Sequence, residues 1–267
     1  MGPGGLDVPL LRRLWLYVLA LAVLFYLVAP IFIVIPMSFS DSNYLTFPPD
    51  SLSLRWYRTF FGSEEWMSAT RVSLTAAALT TLLATPIGTA AAYALNRLNA
   101  KPQKVFYSIL LLPQILPVIL VGIGVYFLYT KLSLINTLPG IVAAHMALAT
   151  PFVVVTVLSG LKSYDLSQED AARGLGAGGF RAFVDVTLPQ IKPSMIAGAL
   201  FAFITSLDEA VLGLFIAGGS NTVLPRKMFL ALRDQIDPTI AAISTLLILI
   251  SMVGMALFLI TGNRQGR

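Results

Sequence analysis

Five stretches of this chain run for at least 25 residues without an ionised side chain, and that pattern constrains the fold more than any other feature. They are residues 14–40, 72–96, 105–130, 132–161 and 238–263. About 20 apolar residues suffice to cross the hydrocarbon core of a bilayer as an α-helix. A sixth stretch, 193–218, is interrupted only by Asp208 and Glu209. The expected fold is an all-α integral membrane protein with six transmembrane helices. The spans fall at about residues 13–36, 67–96, 105–130, 138–161, 193–218 and 238–261, in one membrane domain over 1–267.

Composition excludes the other broad classes. Hydrophobic residues make up 57% of the chain and charged residues 12%, against about 45–50% and 25% in soluble domains. With a mean hydropathy of +0.81, there are too few charges to coat a soluble enzyme. A disordered protein and a nucleic-acid binder are excluded on the same ground. The net charge of +5 is accounted for by topology. Arg97, Lys101 and Lys104 follow the second span, while only Lys131 follows the third. Arg12 and Arg13 precede the first span, and Arg264 and Arg267 follow the last. Short cytoplasmic loops carry the excess of Lys and Arg, so both termini are expected in the cytoplasm. The chain has no Cys, hence no disulfide and no thiolate metal site.

The first span reaches Ile35 and so exceeds the 7–15-residue apolar core of a signal peptide; it reads as a retained helix. Leu6 stands where N-myristoylation needs Ser or Thr. Residues 37–66 form an outer loop rich in aromatics and prolines, among them Tyr44, Phe47, Trp56 and Tyr57. Residues 162–192 form the long cytoplasmic loop.

Within that loop, Ser167 followed by Gln168, Glu169 and Asp170 fits a capping box, a hydroxyl for free N–H groups with acids at the positive helix end. A short helix is expected from about Gln168 to Arg173. Gly174, Gly176, Gly178 and Gly179 then permit a tight turn. A second amphipathic helix over 180–186 is expected to present Phe180, Phe183 and Val184 on one side. Pro189 should end it and Pro193 should begin the fifth span. The product is a helix-turn-helix elbow.

The spacing here is Asp170-Ala171-Ala172, three residues, Gly176, nine residues, then Val186-Thr187-Leu188-Pro189. It resembles the EAA motif of ABC-importer permeases, EAA-x3-G-x9-I-x-L-P, with Asp170 in place of Glu and Val186 in place of Ile. The resemblance implies that the elbow is a coupling helix seated in a groove of a cytoplasmic ATPase. Its coupling set would be Glu169, Asp170, Ala171, Ala172, Gly176, Leu188 and Pro189. No glycine precedes a lysine anywhere in the chain, so the phosphate-binding G-x-x-x-x-G-K-[ST] loop is missing. The resemblance implies that this chain is not an enzyme and that partner ATPases hold the ATP and Mg.

Further stretches are similar to permeases of spermidine/putrescine systems: residues 38–49 and 52–61, 73–95, 111–124 and 206–219. This likeness implies a second homologous permease, two ATPase subunits and an external solute-binding protein. It implies a bacterial inner-membrane location and alternating access to a path for a polyamine or related amine. Amino-acid derivatives, opines, betaines and phosphonates are the other solutes such permeases carry. Loops 37–66 and 219–237 would receive the binding protein.

Asp208 and Glu209 are the acids to explain, since an ionised side chain inside the membrane costs a few kcal/mol. Either they line the translocation path and favour a cation, or they serve a structural bond or a helix break. A secondary transporter coupled to ions through this pair is the alternative class, though it leaves the elbow unexplained. His145, the one histidine, reads as a helix–helix hydrogen bonder or, less simply, as a proton relay; a metal site is not expected. Pro86, Pro113, Pro117 and Pro151 fall inside spans and permit kinks. Tyr93, Tyr107, Tyr126 and Tyr129 read as interfacial anchors.

Overall fold

A helix that is apolar on every side has no solvated face to turn outward, and α1 (Leu10–Ser38) is such a helix from Leu14 onward. The computed structural model describes residues 10–163, 165–234 and 236–263. Leu6, Arg264 and Arg267, used above for lipidation and orientation, lie outside them. The described residues divide into two compact units, those up to 61 with those of 236–248, and those of 62–234 with those of 249–263.

In the first unit, none of the most apolar window of α1 is buried, and Trp15, Phe25 and Tyr26 are exposed. Pro30 and Pro36 sit inside the helix. The following loop is a small folded piece. Ser40 and Leu52 form an isolated antiparallel bridge, Ser38 Oγ and Tyr57 Oη hydrogen-bond at 2.7 Å, and Trp56 Nε1 donates to the Ser42 carbonyl. Its helix α2 (Arg55–Gly62) is amphipathic and buries Trp56 and Phe60.

The second unit is built on α3 (Glu64–Asn96), α6 (Leu138–Lys162) and α9 (Leu188–Asp208). Alanines and valines make the shared core: Ala84 and Ala92 of α3, Val153, Val154 and Val157 of α6, Ala202 of α9. Without a hydrophobic drive between helices in lipid, small residues that allow close backbone approach hold such bundles together. Gly198 is the clearest case, because a methyl there would lie 2.6 Å from Thr156 Oγ1 and 3.1 Å from Val153 Cα. Ser63 caps α3 through the Trp66 N–H, and Thr137 caps α6 through Gly140.

The third apolar stretch is not one straight span. It forms α4 (Ala100–Ile115) and α5 (Val118–Leu132), bent by 95° between them. Pro117 is the cause: it forces Leu116 into extended backbone, ψ 141°, as the residue before a proline prefers. Pro86 and Pro151, by contrast, lie inside continuous helices. Two tyrosines expected as surface anchors also turn inward. Tyr129 is buried against Ala144, Leu148, Leu212 and Ile216, and Tyr93 packs on Phe183 with ring centroids 4.8 Å apart.

The elbow consists of α7 (Ser167–Gly174) and α8 (Gly179–Ala182). Pro189 does not end the second helix: helix is continuous from Gly179 to Asp208, 30 residues. A π-helical turn at Phe183–Thr187, in which the Leu188 N–H bonds the Phe183 carbonyl, resets the ladder just before the proline. Pro189 then occupies the first turn of α9, where its missing N–H is tolerated. The helix that covers the start of the expected fifth span accordingly begins earlier than 193 and ends at Asp208. After the break come α10 (Val211–Ile216), α11 (Leu224–Asp234) and α12 (Thr239–Asn263). By length and apolarity, four helices among the described residues qualify as spans. The bent α4–α5 pair makes five, and the stretch Thr239–Gly254 is a shorter apolar helix.

Candidate functional site

The elbow has an inner and an outer face. Asp165 Oδ1 accepts from the Ser167 N–H at 3.0 Å, so Asp165 holds the start of α7 and the expected Ser167 cap is not formed. This hydrogen bond keeps the Asp165 carboxyl below its ordinary value. At the other end the Ala177 N–H bonds the Ala172 carbonyl and the Gly176 N–H bonds the Arg173 carbonyl. That pair of bonds is a Schellman ending, with Gly176 at φ +95° as the left-handed residue. The spacing Ala-Ala-x3-Gly is thus a helix with its own terminator.

The outer face carries Asp170 and Ala171, both exposed, with Ala172 half-buried. Leu175 and Phe180 stand out from the turn, 91% and 82% exposed. Two motif residues lie elsewhere: Leu188 is half-buried in the helix leading to α9, and Pro189 is exposed there.

Glu169 points the opposite way and is completely buried. Its Oε1 accepts from Tyr93 Oη at 2.6 Å and from Arg173 at 2.7 Å, and lies 2.7 Å from Arg97 Nη2. Its Oε2 accepts from Thr187 Oγ1 at 2.6 Å. Burial alone would raise its pKa, but the bonds from Thr187 and Tyr93 and the Arg97 guanidinium outweigh burial and hold it below 4.5. Tyr93, Arg97, Arg173 and Thr187 were not singled out as site residues from the sequence. The available signal was a pair of i, i+4 spacings, Tyr93 with Arg97 and Glu169 with Arg173.

The two acids at the end of α9 have different places. Asp208 is the last helical residue and is exposed. Glu209 is extended, at ψ 100°, and its Oε1 accepts from the Leu212 N–H at 2.9 Å, holding the first turn of α10. The helix break therefore falls between the two acids. His145 is buried on α6, with Nδ1 2.8 Å from Ser206 Oγ on α9. Among the described residues no cluster of His and acids suits a metal.

Residues 84–265 match the family described as the inner membrane component of binding-protein-dependent transport systems. The chain is 32% identical over 249 residues to the putrescine transport system permease protein PotI of Escherichia coli (strain K12), covering 91% of this chain and 88% of that one. It is 30% identical to the spermidine/putrescine transport system permease protein PotC of the same organism, over 87% of this chain and 88% of the relative. Among solved structures, a bacterial ABC transporter involved in the import of the acidic polysaccharide alginate shares the fold. There the TM-score is 0.71 over 95% of each chain, at 18% identity. The chain belongs to this family and is an inner-membrane permease component of an ABC importer.

Proposed function

We propose that this chain pairs with a second, homologous permease to form the translocation path for a polyamine or related amine, with two ATPase subunits bound at the elbow. The observation that carries the reading is the outer face of α7, with Asp170 and Ala171 exposed and Ala172 half-buried, ended by Gly176 in the motif spacing. The small alanines admit close approach, and Asp170 offers a charge-assisted contact. In this reading the chain crosses the bacterial inner membrane six times, with α4–α5 as one broken span, and performs no covalent chemistry itself. Both termini are cytoplasmic. The Arg97–Glu169 pair supports that sidedness, because it joins the basic 97–104 loop to the elbow. Loops 37–66 and 219–237 would receive an external binding protein.

The substrate class rests on the relatives PotI and PotC, permeases of putrescine and spermidine/putrescine transport systems, and on Asp208. Its exposed carboxylate stands at the carbonyl end of α9, where two sources of negative potential add. Affinity purification of the tagged chain from its native membrane tests the assembly. A cytoplasmic ATPase and a second permease should copurify; a chain that purifies alone and moves solute without ATP would overturn the reading.

A further inference from the structure

We propose that Glu169 is a positioning residue, the joint through which the elbow is fixed to α3 and to the start of α9. The inference rests on the coupling reading of the elbow and deepens it. Helix α7 is eight residues long, and Glu169 is its one buried side chain among those described. A helix that short has little stability of its own, and it has no buried apolar side chain with which to grip the bundle. The carboxylate takes that part. One oxygen meets Tyr93 on α3 and Arg97 at its C-terminal cap, and the other meets Thr187 in the π-helical turn that leads into α9. Arg173, one turn further along α7, closes on the same oxygen as Tyr93. Both α3 and α9 pack on α6, so the joint connects the exposed elbow to the core of the unit.

The surroundings fit a joint better than a docking contact. Glu169 is fully buried, whereas its neighbour Asp170 is 64% exposed by side chain and only 3.6 Å from Arg97. Phe183 on Tyr93 and a Gln190–Gln168 hydrogen bond lie beside the network. A push on the face of Asp170 and Ala171 would then reach α3 and α9 together. Gln at 169 keeps the shape but removes the charge that holds two guanidinium groups.

The test uses the assembled transporter, with ATPases and binding protein, and the purified chain alone. For Glu169→Gln, amide hydrogen exchange over residues 167–175 in the purified chain should rise at least tenfold, while exchange in α6 stays unchanged. ATPases should still copurify, and putrescine taken up per ATP hydrolysed should fall at least tenfold. Glu169→Asp should recover part of both effects. If Glu169→Gln fails to accumulate, Tyr93→Phe, which keeps both Arg contacts, should show the same exchange change in smaller degree. Unchanged exchange in these variants overturns the joint. So does loss of copurification with unaltered exchange, which would make the carboxylate a docking contact. Asp170→Lys separates the two ideas: if it leaves ATPase binding intact, the coupling reading fails, and the exchange result still decides the joint.

Discussion

His145 Nδ1 and Ser206 Oγ meet at 2.8 Å in the buried core, tying α6 to α9. Both side chains are at most 3% exposed, so no water competes for the bond, and the helix–helix role is the one the geometry shows. Such interhelical bonds in membranes contribute about 0.6–2 kcal/mol. Ser206→Ala should lower unfolding stability in detergent by about that amount. His145→Ala should cost more, since it also leaves a cavity and an unpaired hydroxyl. The double variant should be less destabilised than the sum of the two. Additive losses in a denaturation series would show that the pair is not coupled.

Gly176 separates conformation from contact. Its φ of +95° lies where side chains are strained, yet among the described residues nothing beyond its chain neighbours lies within 4 Å of where a Cβ would sit. Alanine should therefore cost only the backbone term, about 1–2 kcal/mol for a left-handed residue, seen as increased exchange over 167–177. Leucine meets the same backbone cost, and its Cβ too enters open space among the described residues. If Gly176→Leu abolishes ATPase copurification while Gly176→Ala only weakens it, the excess is steric and comes from the partner surface. Equal effects would mean that the glycine serves the turn alone.

Much of this arrangement is legible in the sequence, for identifiable reasons. Charge-free stretches place α1, α3 and α6, because a span tolerates few ions anywhere along its length. The EAA spacing places the elbow, because the Schellman ending fixes Gly176 relative to Ala172. Proline was harder to read. Pro117 breaks its stretch through the backbone of Leu116, while Pro189 lies within a helix because a π-helical turn precedes it. Hydropathy is blind to that difference. The Glu169 network was the least visible, since its partner Tyr93 is 76 residues away and the local run from Ser167 to Asp170 suggests a capping box. Asp165 takes the cap and frees Glu169 to turn inward.

Acid should release the elbow. The Glu169 pKa lies below its unfolded value of 4.5, so its contribution to stability is complete above about pH 4.5. It is lost as pH falls through the lower, folded-state value. The charged and titratable groups facing it are Arg97 and Tyr93 from α3 and Arg173 and Asp170 from its own helix, with Thr187 from the π-helical turn. Tyr93 and Arg97 keep their protons throughout this range, and Asp170 stands on the exposed side. Hydrogen exchange over 167–175, corrected for the intrinsic pH dependence, should therefore be flat from pH 7 to 5 and rise below about 4.5. In Glu169→Gln the acid rise should vanish. A rise that persists in that variant would assign it to another group.

Asp208 and Glu209 should respond differently to neutralisation although they are adjacent. Glu209 accepts the Leu212 N–H, and a glutamine oxygen can accept the same bond. Glu209→Gln should therefore leave uptake within about twofold of wild type. Glu209→Ala should cost about 0.5–2 kcal/mol of stability, as lost caps do. Asp208 has no side-chain hydrogen bond among the described residues, so Asp208→Asn removes charge without removing a structural bond. If that charge draws an ammonium group along the path, Asp208→Asn should reduce putrescine uptake at least tenfold, about 1.4 kcal/mol, at unchanged stability and ATPase copurification. The loss should be larger at low ionic strength, where an exposed carboxylate is less screened. Full uptake in Asp208→Asn together with reduced uptake in Glu209→Gln would reverse the assignment, placing the solute against the break itself.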